Sequence, residues 1–188
     1  MMDSNYFANL IAAAPMQTSS RYFGPGIHLV EIDNCKIFSN RQRRPRAAVE
    51  CSVIDSNNEE FPQTTQVSWI VSLDSDNGPS ELKSFIAGVT GCQPSEVTND
   101  VFLNFFINAD DPSSVGKQSI GIGLQAIVNA YEKPTKSGGI FTKVSWKKFD
   151  TEKDTRPDFA SMPRAGSSHQ VNVSETENKT LDTDPIPF

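Results

Sequence analysis

The 188-residue sequence has no hydrophobic run of the roughly 20 residues that a membrane-spanning helix requires. The apolar stretch at residues 10–14 is short and follows no basic region, so we expect no secretory signal. Only three cysteines occur, Cys35, Cys51 and Cys92, and they form no CxxC pair. This spacing excludes a disulfide framework and a cysteine-rich zinc site, and it predicts three reduced, buried thiols. We expect a soluble, cytoplasmic protein.

The sequence also has few residues suited to catalysis. Its two histidines are far apart, with His28 in a predicted strand and His169 near the C-terminus. No phosphate-binding loop of the P-loop type occurs, and the Gly-Ile-Gly at residues 121–123 lies in a predicted strand without the helix that a dinucleotide site needs. The adjacent carboxylates Asp110 and Asp111 are typical of a turn. We therefore expect no enzymatic activity, no metal and no cofactor.

Positive charge is in deficit, since 17 Lys and Arg against 23 Asp and Glu give a net charge of −6. The C-terminal part is more acidic for its length and has no aromatic residue from 165 to 187. Such a composition buries too little apolar surface to offset the entropy of ordering, so we expect disorder from about residue 160. The predicted organisation is an N-terminal extension with a short helix (1–25), one domain (26–150) and a flexible acidic tail (151–188).

The central domain shows strand periodicity on both sides of a helical stretch. Residues 26–39, 47–55 and 65–73 predict three strands, of which the third alternates apolar and polar positions most clearly. Helical spacing follows over residues 80–89 and 95–108, and two further strands are predicted over about 120–129 and 140–149. Five strands with a helical insert between the third and fourth are the order of the OB-fold, a partly open barrel that binds oligonucleotides or oligosaccharides. We therefore predict a mainly β protein with this fold.

Two basic clusters lie in the loops that flank the binding groove of an OB-fold. The first is the arginine loop, residues 41–46, which contains Arg41, Arg43, Arg44 and Arg46. The second is near the loop between the last two strands and consists of Lys133, Lys136, Lys143 and Lys147. A single charge run is usually a solvated surface loop. Two runs that converge on one groove instead favour the binding of phosphates without sequence specificity.

Aromatic side chains beside these clusters are candidates for stacking on bases. The best is Phe141, which shares a strand face with Lys143, and Tyr131 is the next. Phe38 and Phe61 are weaker candidates. Trp69 lies among aliphatic residues, so it is predicted to pack in the core, as are Trp146 and the phenylalanines of the helical insert.

The sequence ends in Asp182, Thr183, Asp184, Pro185, Ile186, Pro187 and Phe188. This ending resembles the acidic C-terminal tip of bacterial and phage single-stranded DNA-binding proteins, in which aspartates precede a terminal Ile-Pro-Phe. It differs in that Thr183 and Pro185 interrupt the acidic run. The resemblance implies an OB-fold followed by a flexible linker, and a tip that docks on other replication and repair proteins. The residues before the first strand and the long helical insert differ from the common bacterial form and favour a divergent, phage-encoded version.

The sequence thus predicts a protein that binds and protects single-stranded DNA during replication, recombination or repair, located in the host cytoplasm if it is phage-encoded. The partner-binding residues would be Asp182, Asp184, Ile186, Pro187 and Phe188. Another class of protein fits the same pattern, namely an OB-like module that binds protein or RNA, or a small virion component, in which the tail only maintains solubility. Binding that weakens as salt rises would favour the DNA-binding prediction.

Overall fold

The structure, a computed structural model, describes residues 21–135 and 138–165. Its largest element is one mainly antiparallel β-sheet, curled into a half-barrel and accompanied by two helices. The strands are β1 (Arg21–Tyr22), β2 (Gly26–Ser39), β3 (Pro45–Ser56), β4 (Gln66–Ser72), β5 (Ile107–Asn108), β6 (Gln125–Pro134) and β7 (Ile140–Lys148). Their spatial order is β1-β4-β3-β2-β6-β7, and the short β5 pairs with β2.

Alternation along the strands gives the sheet an apolar inner face. Val49, Cys51 and Val53 of β3 are buried, as is Val67 of β4, because every second side chain of a strand points to the same side. The two ends of the sheet approach each other on this side, where the rings of Trp69 on β4 and Trp146 on β7 lie 5.6 Å apart. The sheet is therefore curled, with a gap between β4 and β7.

The first helix, α1 (Gly78–Thr90), closes the inner side of the sheet. Pro79 stands in its first turn, and it ends at Gly91, whose φ of 76° is left-handed and favours glycine. Its buried face includes Leu82, Phe85 and Ile86. Gly88 lies against β7, where an added Cβ would be 2.5 Å from the carbonyl oxygen of Trp146. Glycine at this position therefore allows α1 to pack closely on the backbone of β7.

The second helix is shorter than the sequence predicts. The segment 95–108, expected as one helix, consists of a 3-10 turn (Pro94–Glu96), the helix α2 (Asn99–Phe105) and β5. The side chain of Thr98 accepts a hydrogen bond from the amide of Val101, so α2 begins only after this cap. Phe105 and Phe106 are buried, which confirms the prediction that phenylalanines of the insert pack in the core.

The strand expected to begin near residue 120 begins at Gln125 instead. Gly123 has a left-handed φ of 81°, and the amide of Leu124 bonds the carbonyl of Gly121 in a turn. The alternation of glycine with apolar residues before Gln125 therefore predicted the wrong first residue of this strand. Glycine fits the alternating pattern but has no side chain that packs on a sheet. The strand prediction for 26–39 is confirmed to the residue, and the third and last strands are correct to within one residue at each end.

Residues 150–165 form a strap across the outer face of β2 and β6. Phe159 is buried there in a small cluster with Leu29 and Phe149. Arg156 forms an ion pair with Asp55 at 2.8 Å, and Arg164 another with Glu59. The packed body therefore extends to Ala165, beyond the boundary expected at residue 150 and the onset of disorder expected near residue 160. The averaged polarity of the C-terminal part concealed two anchoring side chains, Phe159 and Met162. The short helix predicted near the N-terminus and the tail beyond residue 165 lie outside the described residues.

Within the described part of the chain, no helix is both long enough and apolar enough to span a membrane. Cys35 and Cys51 are fully buried, and Cys92 is partly buried. Burial raises the pKa of the Cys35 thiol to about 12. The two core cysteines are therefore neutral side chains that fill space, as the sequence predicts.

Candidate functional site

The outer face of β2, β3 and β4 is the first part of the site. Strand register places its side chains in three rows across the sheet, namely Phe38–Arg46–Ser72, Lys36–Ala48–Ile70 and Asn34–Glu50–Ser68. Tyr22 of β1 extends the third row, because it pairs with Ser68. We call this surface the platform. It carries basic, aromatic and aliphatic side chains on one continuous sheet face.

The arginine loop is held in a defined turn at one end of the platform. The carboxamide oxygen of Asn40 accepts hydrogen bonds from the amides of Gln42 and Arg44, at 2.9 and 3.0 Å. The backbone of Asn40 also bonds the carbonyl of Arg44 and the amide of Arg43. Arg43 has a φ of 58°, in the left-handed region. Asn40 is thus a positioning residue that sequence reasoning missed, although asparagine commonly bonds to the backbone of such a turn.

The charges of the arginine loop are largely available to a ligand. Arg41 and Arg43 are exposed and make no salt bridge within the described residues. Arg44 lies 3.8 Å from Asp74, and both side chains are solvent-exposed, so this pair is weak. The pKa of Asp74 is below its usual value, first because Ser72 donates a hydrogen bond to it and then because Arg44 and Arg46 are near. The loop is therefore a compact patch of positive charge, with Asp74 beside Arg44 and the carboxylate of Asp110 bonded to the amide of Ser39 just before the loop.

The centre of the platform is electrically balanced. The ammonium of Lys36 lies 2.5 Å from a carboxylate oxygen of Glu50, and the carboxamide of Asn34 donates to the other oxygen. Beside them, Ile70 is 38% exposed and Phe38 is partly exposed. The platform therefore offers an apolar surface to a ligand, with its positive charge concentrated at the arginine loop.

The second predicted cluster lies on the β6–β7 hairpin. Register pairs Lys133 with Phe141 and Tyr131 with Lys143, so these four side chains share the outer face of the hairpin end. Tyr131 is 44% exposed and Phe141 is 43% exposed, as stacking residues require. Lys147 is on the same face but further along, paired with Ile127 next to the strap. Lys136 lies outside the described residues.

A cleft of about 930 Å³ separates β1 and β4 from β7, and we call it the seam cleft. Tyr22 and Trp69 line it on the side of β1 and β4, and Phe141, Lys143 and Trp146 line it on the side of β7. Its α1 side consists of polar residues, which are Asn77, Ser80, Glu81 and Ser84. Sequence reasoning missed Tyr22, which is 68% exposed. A two-residue strand that begins the described part of the chain has no periodic signal.

The seam cleft and the platform are contiguous. A shallower depression of about 350 Å³ on the platform is lined by Lys36, Phe38 and Glu50, among others. Ser68 and Ile70 line both this depression and the seam cleft. The edge of β4 is therefore the ridge between them, and a ligand on the platform can extend into the cleft. The described residues that line the cleft include none of the four arginines of the arginine loop.

The remaining aromatic predictions have mixed outcomes. Phe61 is only 5% exposed and packs against His28, so its proposed role in stacking is wrong. It lies in a loop that folds inward, which local sequence does not reveal. Trp69 and Trp146 pack against the core as predicted, although each also lines the seam cleft. The indole nitrogen of Trp146 is buried without a hydrogen-bond partner among the described residues.

The described residues hold no group of three or more His, Cys, Asp and Glu side chains that could bind a metal ion. His28 is fully buried between Phe23 and Phe61. Its Nε2 donates to the carbonyl of Gly24, and its Nδ1 accepts from the hydroxyl of Ser56. Burial lowers the pKa of His28, so the ring is neutral and serves the packing of the core.

The predicted partner-binding residues, Asp182, Asp184, Ile186, Pro187 and Phe188, lie outside the described residues. Comparison of the chain with protein families finds no family that matches, and comparison with curated proteins finds no similar sequence.

Proposed function

We propose that this protein binds single-stranded DNA without sequence specificity. The observation that carries the proposal is one continuous surface that is basic at its two ends and apolar between them. It runs from the arginine loop across Phe38 and Ile70 to Phe141 and Lys143. Proteins that bind single strands combine a positive groove for the backbone with aromatic platforms for the bases. Because every base has a stacking face, such a surface tolerates any sequence.

We further propose that the sheet is an OB-fold barrel that is open between β4 and β7. The pairing of β2 with β3 and β6, of β3 with β4, and of β6 with β7 supports this assignment, as does the position of both helices between β4 and β6. In this fold the loops β2–β3 and β6–β7 flank the binding face. The arginine loop is the first of these, and Lys133 and Lys143 lie on the strands beside the second.

Single strands fit this surface better than duplexes do. The apolar side chains of the platform and the hairpin are useful only to a ligand that can turn its base faces outward, and paired bases in a duplex are already stacked. The net charge of −6 does not oppose the proposal, because positive charge is concentrated on this surface and 7 of the 23 acidic residues occur after residue 150. Local charge, more than the total, controls the attraction of phosphates.

The segment 182–188 would recruit replication, recombination or repair proteins in the cytoplasm. Its phenylalanine would enter an apolar pocket of the partner, while basic residues around that pocket would receive the aspartates. Deletion of residues 182–188 should leave the affinity for DNA equal or higher and should abolish capture of the partner. A marked loss of DNA affinity would contradict the docking role.

The proposal is tested by fluorescence anisotropy with a labelled oligo-dT, a matched duplex and an oligo-U, at low and moderate salt. We expect binding to oligo-dT that exceeds binding to the duplex and weakens as salt rises. Tighter binding to oligo-U would replace DNA by RNA as the ligand. Absence of binding to all three at low salt would refute the proposal and favour a protein-binding module or a virion component.

A further inference from the structure

We propose that the seam cleft is a base-binding pocket, into which the single strand inserts one or more unstacked bases where it crosses the edge of β4. The inference rests on the proposed function and assigns a specific site within it. The OB-fold binding face is the outer surface of the strands, whereas this cleft lies in the gap between the two ends of the sheet.

The walls of the seam cleft present aromatic rings from both ends of the sheet. Tyr22 on β1 is 68% exposed, and Phe141 on β7 is 43% exposed. Exposed aromatic side chains that come together around one cleft are typical of a ligand-binding site. A flat aromatic base suits such walls, because ring faces stack on ring faces.

The polar groups of the seam cleft favour a neutral base over a phosphate. Glu81 on α1 would repel a phosphate in the cleft, whereas the hydroxyl of Ser80 can exchange hydrogen bonds with the edge of a base. The hydroxyl of Ser84 donates to the carbonyl of Ser80 and can accept a hydrogen bond from the base edge. Lys143 lies on the β7 side and can receive the phosphate next to the inserted base. Charge complementarity therefore orients the nucleotide, with its base inward and its phosphate towards β7.

The path of the single-stranded DNA follows from the edge of β4, which the platform and the seam cleft share. Phosphates held by the arginine loop place the strand on the platform, where Arg46 and Phe38 are cross-strand neighbours. Ser68 and Ile70 line the platform depression as well as the cleft, so single-stranded DNA that crosses β4 reaches the cleft directly. The volume of about 930 Å³ is within the range of small-molecule pockets and accommodates at least one base. A base paired in a duplex cannot enter, so the cleft also distinguishes single from double strands.

Tryptophan fluorescence of the full chain tests this site directly, because the protein has two tryptophans and both line the seam cleft. We would titrate the protein with oligo-dT and with an abasic oligonucleotide of the same length, and follow binding by anisotropy of a label on the DNA. Oligo-dT should quench the tryptophan emission at saturation. The abasic strand should bind through its phosphates and leave the emission unchanged. Equal quenching by both strands would overturn the inference.

Two substitutions with one matched control separate the cleft from the rest of the surface. Phe141→Ala should weaken oligo-dT binding about fivefold or more and should reduce the quenching at saturation. A loss of about fivefold is the smallest effect expected when one base no longer stacks on an aromatic ring. Tyr131→Ala is the control, because Tyr131 is equally exposed on the neighbouring strand but does not line the cleft. It should leave the quenching at saturation intact, even if affinity falls. Ser84→Leu, which narrows the cleft without removing an aromatic ring, should reduce the quenching and spare abasic binding.

Refutation of the base pocket and refutation of the proposed function give different experimental results. Oligo-dT that binds by anisotropy without any change in tryptophan emission would overturn the base pocket and leave single-strand binding in place. Absence of binding would overturn both. Emission that depends on protein concentration without DNA, together with a dimer in sedimentation, would show that a second copy occupies the cleft and would also overturn the inference.

Discussion

Removal of the arginine loop charges should change the salt dependence of DNA binding by a calculable amount. Arg41, Arg43 and Arg44 are exposed, and Arg46 is half-buried at the start of β3. Asn40 holds the turn, so Arg→Ala substitutions remove charge while the contacts of Asn40 with the backbone remain. Each phosphate contact on a single strand contributes about 0.7 to the slope of log affinity against log salt. If all four arginines contact phosphates, their replacement should reduce the slope by about 2.8.

This change in slope is large enough to measure. Over a fourfold rise in salt, a slope of about 2.8 corresponds to an affinity change of about 50-fold. The wild-type protein should therefore lose about 50-fold more affinity than the quadruple variant between about 50 and 200 mM salt. The existing Arg44–Asp74 pair hardly alters this value, because ion pairs between exposed side chains are worth little.

The assay is anisotropy of labelled oligo-dT at five or six salt concentrations, with circular dichroism to verify the fold of each variant. The double variant Arg41→Ala and Arg43→Ala should reduce the slope by about 1.4. Its control is Lys117→Ala with Lys153→Ala, which removes the same charge from segments outside both basic clusters. Equal slopes for the wild type and the quadruple variant, or equal effects of the two double variants, would refute the reasoning.

Three further predictions concern stability. As the pH falls from 6.5 towards the lowered pKa of His28, the free energy of unfolding should decrease, because the unfolded chain binds a proton that the buried ring does not. Urea unfolding at several pH values measures this decrease. A His28→Asn variant whose stability depends on pH in the same way as that of the wild type would contradict the prediction. Gly88→Ala should lower the urea midpoint, because the new Cβ would lie 2.5 Å from the carbonyl oxygen of Trp146; Ser84→Ala on the same helix is the control, and equal midpoints would disprove the close packing. Phe159→Ala should reduce the free energy of unfolding by about 3 kcal/mol, the lower end for a buried phenylalanine; unchanged stability would show that the strap contributes nothing.

Local pattern alone determined much of the sheet and part of the site. The alternation in β4 follows directly from Val67, Trp69 and Val71, because a strand with one buried face must place apolar residues at every second position. The arginine loop was predictable because four arginines beside a proline leave little choice but a solvated turn. The exposure of Phe141 was predictable because Phe141 shares a strand face with lysines, and a strand face that carries charged side chains faces the solvent.

Only the tertiary structure decided which aromatic residues meet. Phe61 is buried and Tyr22 is exposed because loops and short segments are placed by distant contacts, such as the packing of Phe61 on His28 and the pairing of Tyr22 with Ser68. The strap is held by Phe159 in a cluster with Leu29, a contact between residues far apart in sequence. The seam cleft exists because the curl of the sheet brings β4 close to β7. Sequence periodicity reports which face of an element is buried, whereas curvature and long-range pairing decide which faces form a site together.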